Sequence, residues 1–269
     1  MFNWIRSRFY THTIIHPHPS VRIQYVSDLH LDTYGNKQPG WKIPLIEHAA
    51  KYLAICGDLG KPTHPNVNLF LRMVSSQYEK VFFVPGNHDF DSGPLYDRQK
   101  YDLYNPLIES ICSQYKNVYY LNNKTHHINK NLVIVGSTLW SQPNISNCEA
   151  NVDYHDHDHY HDHAIEHQKN VNWLELQLKQ YGNIVVLSHF VPTFKLIEPQ
   201  YLRLGLQKTR WFATNLEHLM KPPIRAWLCG HSHSVIECHI NGIHCGLNAH
   251  GYGNKNKSIL TRYVDIDVS

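Results

Sequence analysis

Val81-Phe82-Phe83-Val84-Pro85-Gly86-Asn87-His88-Asp89 decides how this chain is read: four apolar residues without polar alternation, a Pro-Gly break, then an amide, an imidazole and a carboxylate. A short apolar run closed by Pro and Gly reads as a buried strand, and the polar residues then stand at its carboxyl end. The same arrangement recurs four times. Residues 21–26 run into Asp28-Leu29-His30, 52–56 into Gly57-Asp58, 184–187 into Ser188-His189, and 226–229 into Gly230-His231-Ser232-His233. In open α/β sheets ligands bind outside the carboxyl ends of the strands, so five such strands converge their Asp, Asn and His on one place. Asp28 and Asp58 are 30 residues apart and Asp58 and Asn87 29, each about one βαβ unit of ~30 residues. A helix over 67–77 is expected between them.

Downstream, the segment 107–115 after Asn105-Pro106 predicts a short helix, and 132–135 a further buried strand where a second sheet begins. Val171, Leu174 and Leu178, broadened by Trp173 and Leu176, give 171–181 the stripe of an amphipathic helix. Thr214-Asn215-Leu216-Glu217 has capping-box spacing, which predicts a helix from Thr214 to before Pro222-Pro223. Runs 235–240 and 243–247 around Asn241-Gly242 predict a hairpin with a type I′ turn, and alternation over 263–268 predicts a half-buried final strand. The His/Asp tract 153–163 is too polar to pack a core and is expected to be a surface insertion, near 151–163, in loop form. Its histidines are left out of the candidate ligands.

The 269 residues, 42% hydrophobic and 17% charged, suit one globular catalytic domain over 21–269, preceded by an N-terminal extension over 1–20. A net charge of +3 is too small to demand a nucleic-acid or membrane partner. The six cysteines show no CxxC spacing, and Cys56 and Cys229 sit inside apolar runs where burial is expected. No stretch approaches the roughly 18 apolar residues of a membrane span, and the N-terminus lacks the apolar region of a secretory signal, so a cytoplasmic location is expected. Phe2, Trp4, Ile5, Arg6, Arg8 and Phe9 also loosely fit a transit or membrane-touching segment.

Twenty-two histidines exceed what any one site can use, so each is judged by its neighbours. Asp28 and His30, and likewise His231 and His233, alternate across a strand end and can face the same way. Asp58 follows a glycine whose missing Cβ permits a tight turn, and a carboxylate there can bridge two ions. Each motif alone also reads as a turn, a helix cap or a packed histidine. Together they offer seven oxygen and nitrogen donors, enough for two divalent ions sharing one bridge.

The ordered set DxH, GD, GNHD, strand-end His and GHxH over residues 28–233 resembles the calcineurin-like metallophosphoesterase superfamily. The resemblance implies an α/β (α+β) fold: two packed mixed β-sheets flanked by helices, with the metal site at the carboxyl ends of the strands. It also implies one ion on Asp28, His30, Asp58 and His233, and a second on Asp58, Asn87, His189 and His231. His88 is then no ligand; it contacts the phosphate and protonates the leaving oxygen, with Asp89, where the family more often has Glu, orienting its imidazole and favouring its charged form. The implied reaction is hydrolysis of a phosphate mono- or diester by a metal-bridging hydroxide attacking in line. Two divalent ions less Asp28, Asp58 and a hydroxide leave a shell of about +1, suited to an anionic substrate. Manganese, iron and zinc all suit such donors.

Small cytosolic bacterial-type members share the stretch 136–140, an Asn-Leu-Glu here at Asn215-Leu216-Glu217, and an Asn-Pro-Arg-Gly-Tyr that here reads Asn248-Ala249-His250-Gly251-Tyr252. The Pro and Arg of that motif have become Ala249 and His250. The expected partner is a phosphorylated small molecule or nucleotide. A nuclease of the same superfamily is less favoured, since the chain is only mildly basic, and a non-catalytic scaffold less still, since all eight key residues are present. Lys195, Arg203, Lys208 and Arg210 read either as an anion-binding patch or as a solvated loop, and Trp140, Trp211 and Tyr252 either as base-stacking or as packing aromatics.

Overall fold

The structure is a computed structural model, which describes residues 20–34, 46–93, 95–142, 154–203, 205, 209–252 and 261–268. Its strands are β1 (Ser20–Val26), β2 (Tyr52–Cys56), β3 (Lys80–Val84), β4 (Val118–Tyr120), β5 (Lys124–Asn129), β6 (Leu132–Ser137), β7 (Ile184–Ser188), β8 (Ile224–Cys229), β9 (Val235–Ile240), β10 (Ile243–Asn248) and β11 (Tyr263–Asp267). The helices α1 (Pro65–Gln77), α2 (Arg98–Ser113) and α3 (Tyr154–Leu178) lie between them in sequence. One sheet has the order β11-β1-β2-β3-β4 and the other β5-β6-β7-β8-β10-β9. Each is parallel at its centre; β11 is the antiparallel margin of the first, whose other margin β4 is parallel, and β5 and β9 are the antiparallel margins of the second.

The unbroken apolar run of β3 follows from burial on both faces. Val81 and Phe83 pack with Phe70, Leu71 and Val74 of α1 and Ile108 of α2, while Phe82 and Val84 join Ile134, Leu187 and Leu228 of the other sheet. On the far side, Val133, Val186 and Trp227 meet Val171 and Leu174 of α3. Two mixed sheets flanked by helices therefore bring the carboxyl ends of β1, β2, β3, β7 and β8 together. Cys56 and Cys229 are fully buried in those strands. The β9–β10 hairpin turns as expected, with Asn241 at φ 51° and Gly242 at φ 80°, and β11 alternates buried and exposed residues.

Four details differ from the sequence expectation. Helix α2 begins at Arg98, not 107, because Asp97 caps it by accepting from the Lys100 N–H, and because Tyr101, Tyr104 and Ile108 continue one core-facing stripe across Pro106. The second sheet begins one strand earlier, at the half-exposed and polar edge strand β5. No helix forms from Thr214: its hydroxyl accepts from the Gln142 N–H, and the Glu217 carboxylate accepts from Thr193, leaving a single 3-10 turn over Glu217–Leu219. The His/Asp tract from Tyr154 onward is not a loop but the first turns of α3. His163 is its anchor, fully buried, accepting at Nδ1 from the Tyr96 N–H at 3.0 Å and donating from Nε2 to the Ser141 carbonyl at 2.8 Å. Burial pushes its imidazole down to about 3, so it is held neutral. The extension expected over 1–20 lies outside the described residues except for Ser20, as does 151–153. Among the described residues no helix is long and apolar enough to cross a membrane.

Candidate metal centre

Each strand ends in a reversal that aims its last polar side chains at one point. Asp28, His30, Asp58, His231 and His233 all have positive φ, between 43° and 71°. Such backbone is costly for most side chains and cheapest for Asn, Asp and His, so residue type and conformation agree at these positions. Gly57 and Gly86 are forced by crowding: a Cβ on Gly57 would lie 2.2 Å from His189 Nδ1, and one on Gly86 2.2 Å from Asp58 Oδ1.

All seven expected donors come together. Asp28, His30, Asp58 and His233 offer donor atoms within 4.8 Å of one another, as do Asp58, His189 and His231. Asn87 Oδ1 stands 3.0 Å from His189 Nε2, which joins it to the second group. Asp58 belongs to both. His189 Nδ1 donates to the Cys56 carbonyl at 3.0 Å, so in the neutral ring Nε2 is the bare nitrogen, and it faces Asn87, His231 and Asp58. Asp28 is oriented by the His231 N–H at 3.1 and 3.0 Å and by the Ser27 hydroxyl.

The residues fit a pair of cations. Asp58 Oδ2 and His231 Nε2 are buried without a hydrogen-bond partner, and buried polar atoms in folded proteins almost always have one. Ring nitrogens of His30 and His233 face each other at 3.0 Å, and those of His189 and His231 at 3.1 Å, contacts that only a proton or a cation reconciles. Burial pushes the Asp28 and Asp58 carboxyls up, but His233 beside the first and His189 beside the second more than offset it, and both lie below the usual carboxylate range. Burial lowers His189, yet the Asp58 charge drives it up to about 9, while burial drives His231 down to about 3. Two buried anions that charge the nearest imidazole mark a demand for positive charge that divalent ions meet.

The role expected for Asp89 needs correction. Its buried carboxylate does not hold the His88 ring; it accepts from the backbone N–H groups of Asp58 at 2.9 Å, Gly60 at 2.9 Å and Gly86 at 2.7 Å. It thereby staples the loop after β2 to the loop after β3, and a carboxylate with three N–H donors is a strong local restraint. His88 is instead placed by its own N–H, which donates to Asp58 Oδ1 at 2.9 Å, and by Tyr252, whose hydroxyl lies 3.2 Å from Nε2. Asp89→Asn turns an NH2 group against at least one of those three donors. The expected result is a loss of about 3 kcal/mol of stability, read as a thermal midpoint lower by roughly 5–10 °C, with weaker metal retention because the Asp58 loop loosens. An unchanged midpoint would show that the staple is dispensable.

A cleft of about 290 Å³ opens over the centre. Asp58, Asn87, His88, His231 and His233 form its floor, and Ile197, Tyr201, Phe212 and Tyr252 form walls. Tyr252 stacks on His30, with ring centroids 4.1 Å apart and planes at 22°. Trp140 is core, packed on Phe90 and Phe190, and Trp211 packs on Tyr160. Lys195 pairs with Glu217 at 2.7 Å, a solvated ion pair rather than a cleft residue; Lys208 lies outside the described residues. Ile197, Tyr201 and Phe212 carry no motif and were not visible as site residues. The one available signal was their position just after the His189 strand.

Residues 21–235 match the profile of the calcineurin-like phosphoesterase family. A protein of Acanthamoeba polyphaga mimivirus described as uncharacterized is 28% identical over 280 residues, covering 91% of this chain and 96% of its own length. Among solved structures, phosphopantetheinyl hydrolase from Mycobacterium tuberculosis superposes with a TM-score of 0.63 at 18% identity, covering 91% of this chain and 96% of its own. A dimetal phosphatase from Danio rerio gives 0.53 at 11% identity, over 93% and 99%. At these identities the two structures speak for the fold.

Proposed function

The chain belongs to the calcineurin-like phosphoesterase family, and from that premise we propose that it hydrolyses phosphate esters at a centre of two divalent ions held by its own seven donors. Asp28, His30, Asp58 and His233 would hold one ion; Asp58, Asn87, His189 and His231 would hold the other. The observation that carries this reading is Asp58, common to both donor groups, fully buried, and with one carboxylate oxygen lacking a hydrogen-bond partner. When bound, such a pair acidifies water from a pKa of about 15.7 towards about 7 and offsets phosphate charge. The donor set of carboxylate, amide and imidazole suits manganese, iron or zinc.

The remaining work falls to side chains around the cleft. His88 stands on its floor outside both donor groups, with Nε2 free to exchange its Tyr252 contact for the ester oxygen. There it holds the proton that the departing alcohol needs as the P–O bond breaks and water's oxygen bonds to phosphorus. Asp58 fixes His88 through the backbone, so proton donor and ion bridge are set by one residue. Asp89 keeps Asp58 in place.

The test is turnover of p-nitrophenyl phosphate, its bis ester and a cyclic nucleotide by protein stripped of metal and reloaded with Mn²⁺, with bound metal measured in parallel. Metal-dependent turnover and two ions per chain are expected. No turnover of any ester with any divalent metal would leave the scaffold alternative standing, and one ion at saturation would remove the bridging role from Asp58. Faster cleavage of DNA or RNA than of small esters would favour the nuclease reading.

A further inference from the structure

The walls of the cleft differ sharply from its floor. Phe212 and Tyr252 remain 38% and 48% exposed, unusual for rings that have a full core available beside them. Phe212 lies over His231, with centroids 5.4 Å apart, and Tyr252 over His30, so each donor group is flanked by one aromatic ring. Ile197 and Tyr201 line the same cleft and extend from the apolar layer under the second sheet. The chain carries 25 Lys and Arg residues, yet among the described residues none lines this cleft. Lys195, from the same segment as Ile197, is paired with Glu217.

A floor that demands an anion, beside described walls of three aromatic rings and a branched alkyl group, sorts substrates by what lies beyond the phosphate. We propose that this site selects phosphate esters whose alcohol is uncharged and apolar, and discriminates against esters carrying a second anionic group. This rests on the hydrolase reading above. A second phosphate or carboxylate would be desolvated against Ile197, Tyr201 and Phe212 with no lysine or arginine among the described lining residues to receive it, whereas an alkyl or aryl group would be removed from water by the same surface. The cleft's about 290 Å³ holds a phosphoryl group with an alcohol of ring or short-chain size seated on the wall.

The experiment uses esters of equal intrinsic reactivity. Methyl phosphate, hexyl phosphate, 6-carboxyhexyl phosphate and hexane-1,6-diyl bisphosphate all lose a primary alkoxide, and they differ in what lies beyond its first carbon; the bisphosphate rate is counted per phosphate. With the Mn²⁺-loaded full chain, kcat/KM is expected to rise about 10-fold or more from methyl to hexyl and to fall about 10-fold or more when the distal carboxylate or phosphate is added. Tyr201, unlike Phe212, does not touch a candidate ligand, so it is the wall residue to alter. Tyr201→Ala is expected to shrink the hexyl-to-methyl ratio several-fold, and Tyr201→Lys to reverse the penalty on the carboxylated ester. Both readouts are ratios within one protein sample, so partial loss of folded enzyme does not alter them. Equal turnover of hexyl and carboxyhexyl phosphate, or ratios insensitive to both Tyr201 variants, would overturn the assignment while leaving the hydrolase reading intact. Absence of turnover on every ester would overturn both.

Discussion

Asp58→Asn is expected to lower kcat/KM for p-nitrophenyl phosphate by about 10³-fold or more, which is ~4 kcal/mol of transition-state stabilisation, and to drop the metal content from two ions to one or fewer. The two carboxylate oxygens have different surroundings. Oδ1 accepts the His88 N–H at 2.9 Å and sits 3.4 Å from His189 Nε2, while Oδ2 faces His30 at 3.8 Å and has no hydrogen-bond partner. An amide keeps its oxygen on the His88 N–H, so its NH2 group replaces the partnerless oxygen. That exchange removes a ligand atom and half of the buried negative charge supplied by Asp28 and Asp58, without changing side-chain volume. The loop that carries the residue is held independently by Asp89, so the fold should persist and near-native circular dichroism should accompany the lost activity. Retention of two ions with near-native kcat/KM would show that Asp58 does not bridge.

Why the site was legible and parts of the fold were not follows from where each signal is stored. Strands β2, β3, β7 and the last four residues of β8 are buried on both faces, so their apolar runs are continuous, while β1 is interrupted by Arg22 and Gln24; the strand ends are marked by Gly, Asp and His that tolerate positive φ. Those ends are local in sequence and carry the seven donors. The start of α2 was hidden because Pro106 reads as a stop, although the core stripe simply continues past it. The turn at Glu217–Leu219 fails as a helix because Thr193 and Gln142, distant in sequence, take the side chains a capping box would use. Composition misled in the His/Asp tract: helical spacing puts His163 under Trp140 and Tyr96, and one buried imidazole with both nitrogens paired anchors an otherwise polar segment. The Asp89 role was misassigned for a related reason. Adjacency to His88 in sequence suggested contact, but the 3-10 turn over His88–Phe90 points successive side chains apart. Of the wall rings, Tyr252 reads either way in the sequence and Tyr201 and Phe212 carry no signal, because rings in a cleft and rings in a core look alike until exposure is known.

His88→Ala carries the second large effect, and its diagnostic value lies in how the loss depends on the leaving group. General acid catalysis typically contributes about 10²–10⁴-fold, more when the departing oxygen is strongly basic. A p-nitrophenolate leaves readily without a proton, so its ester is expected to lose about 10²-fold in kcat. A hexyl alkoxide needs the proton as the P–O bond breaks, so hexyl phosphate is expected to lose about 10⁴-fold. His88 is in neither donor group, and metal content should stay at two ions per chain, which separates this variant from Asp58→Asn. Tyr252→Phe supplies the intermediate case: it removes the hydroxyl 3.2 Å from His88 Nε2 but keeps the ring stacked on His30, so a loss of about 10-fold or less is expected on both esters. If His88→Ala depresses the two esters by the same factor, His88 holds the phosphate but does not supply the proton. The proton must then come from water, and the cleft's chemistry reduces to the seven donors and whatever ions they hold.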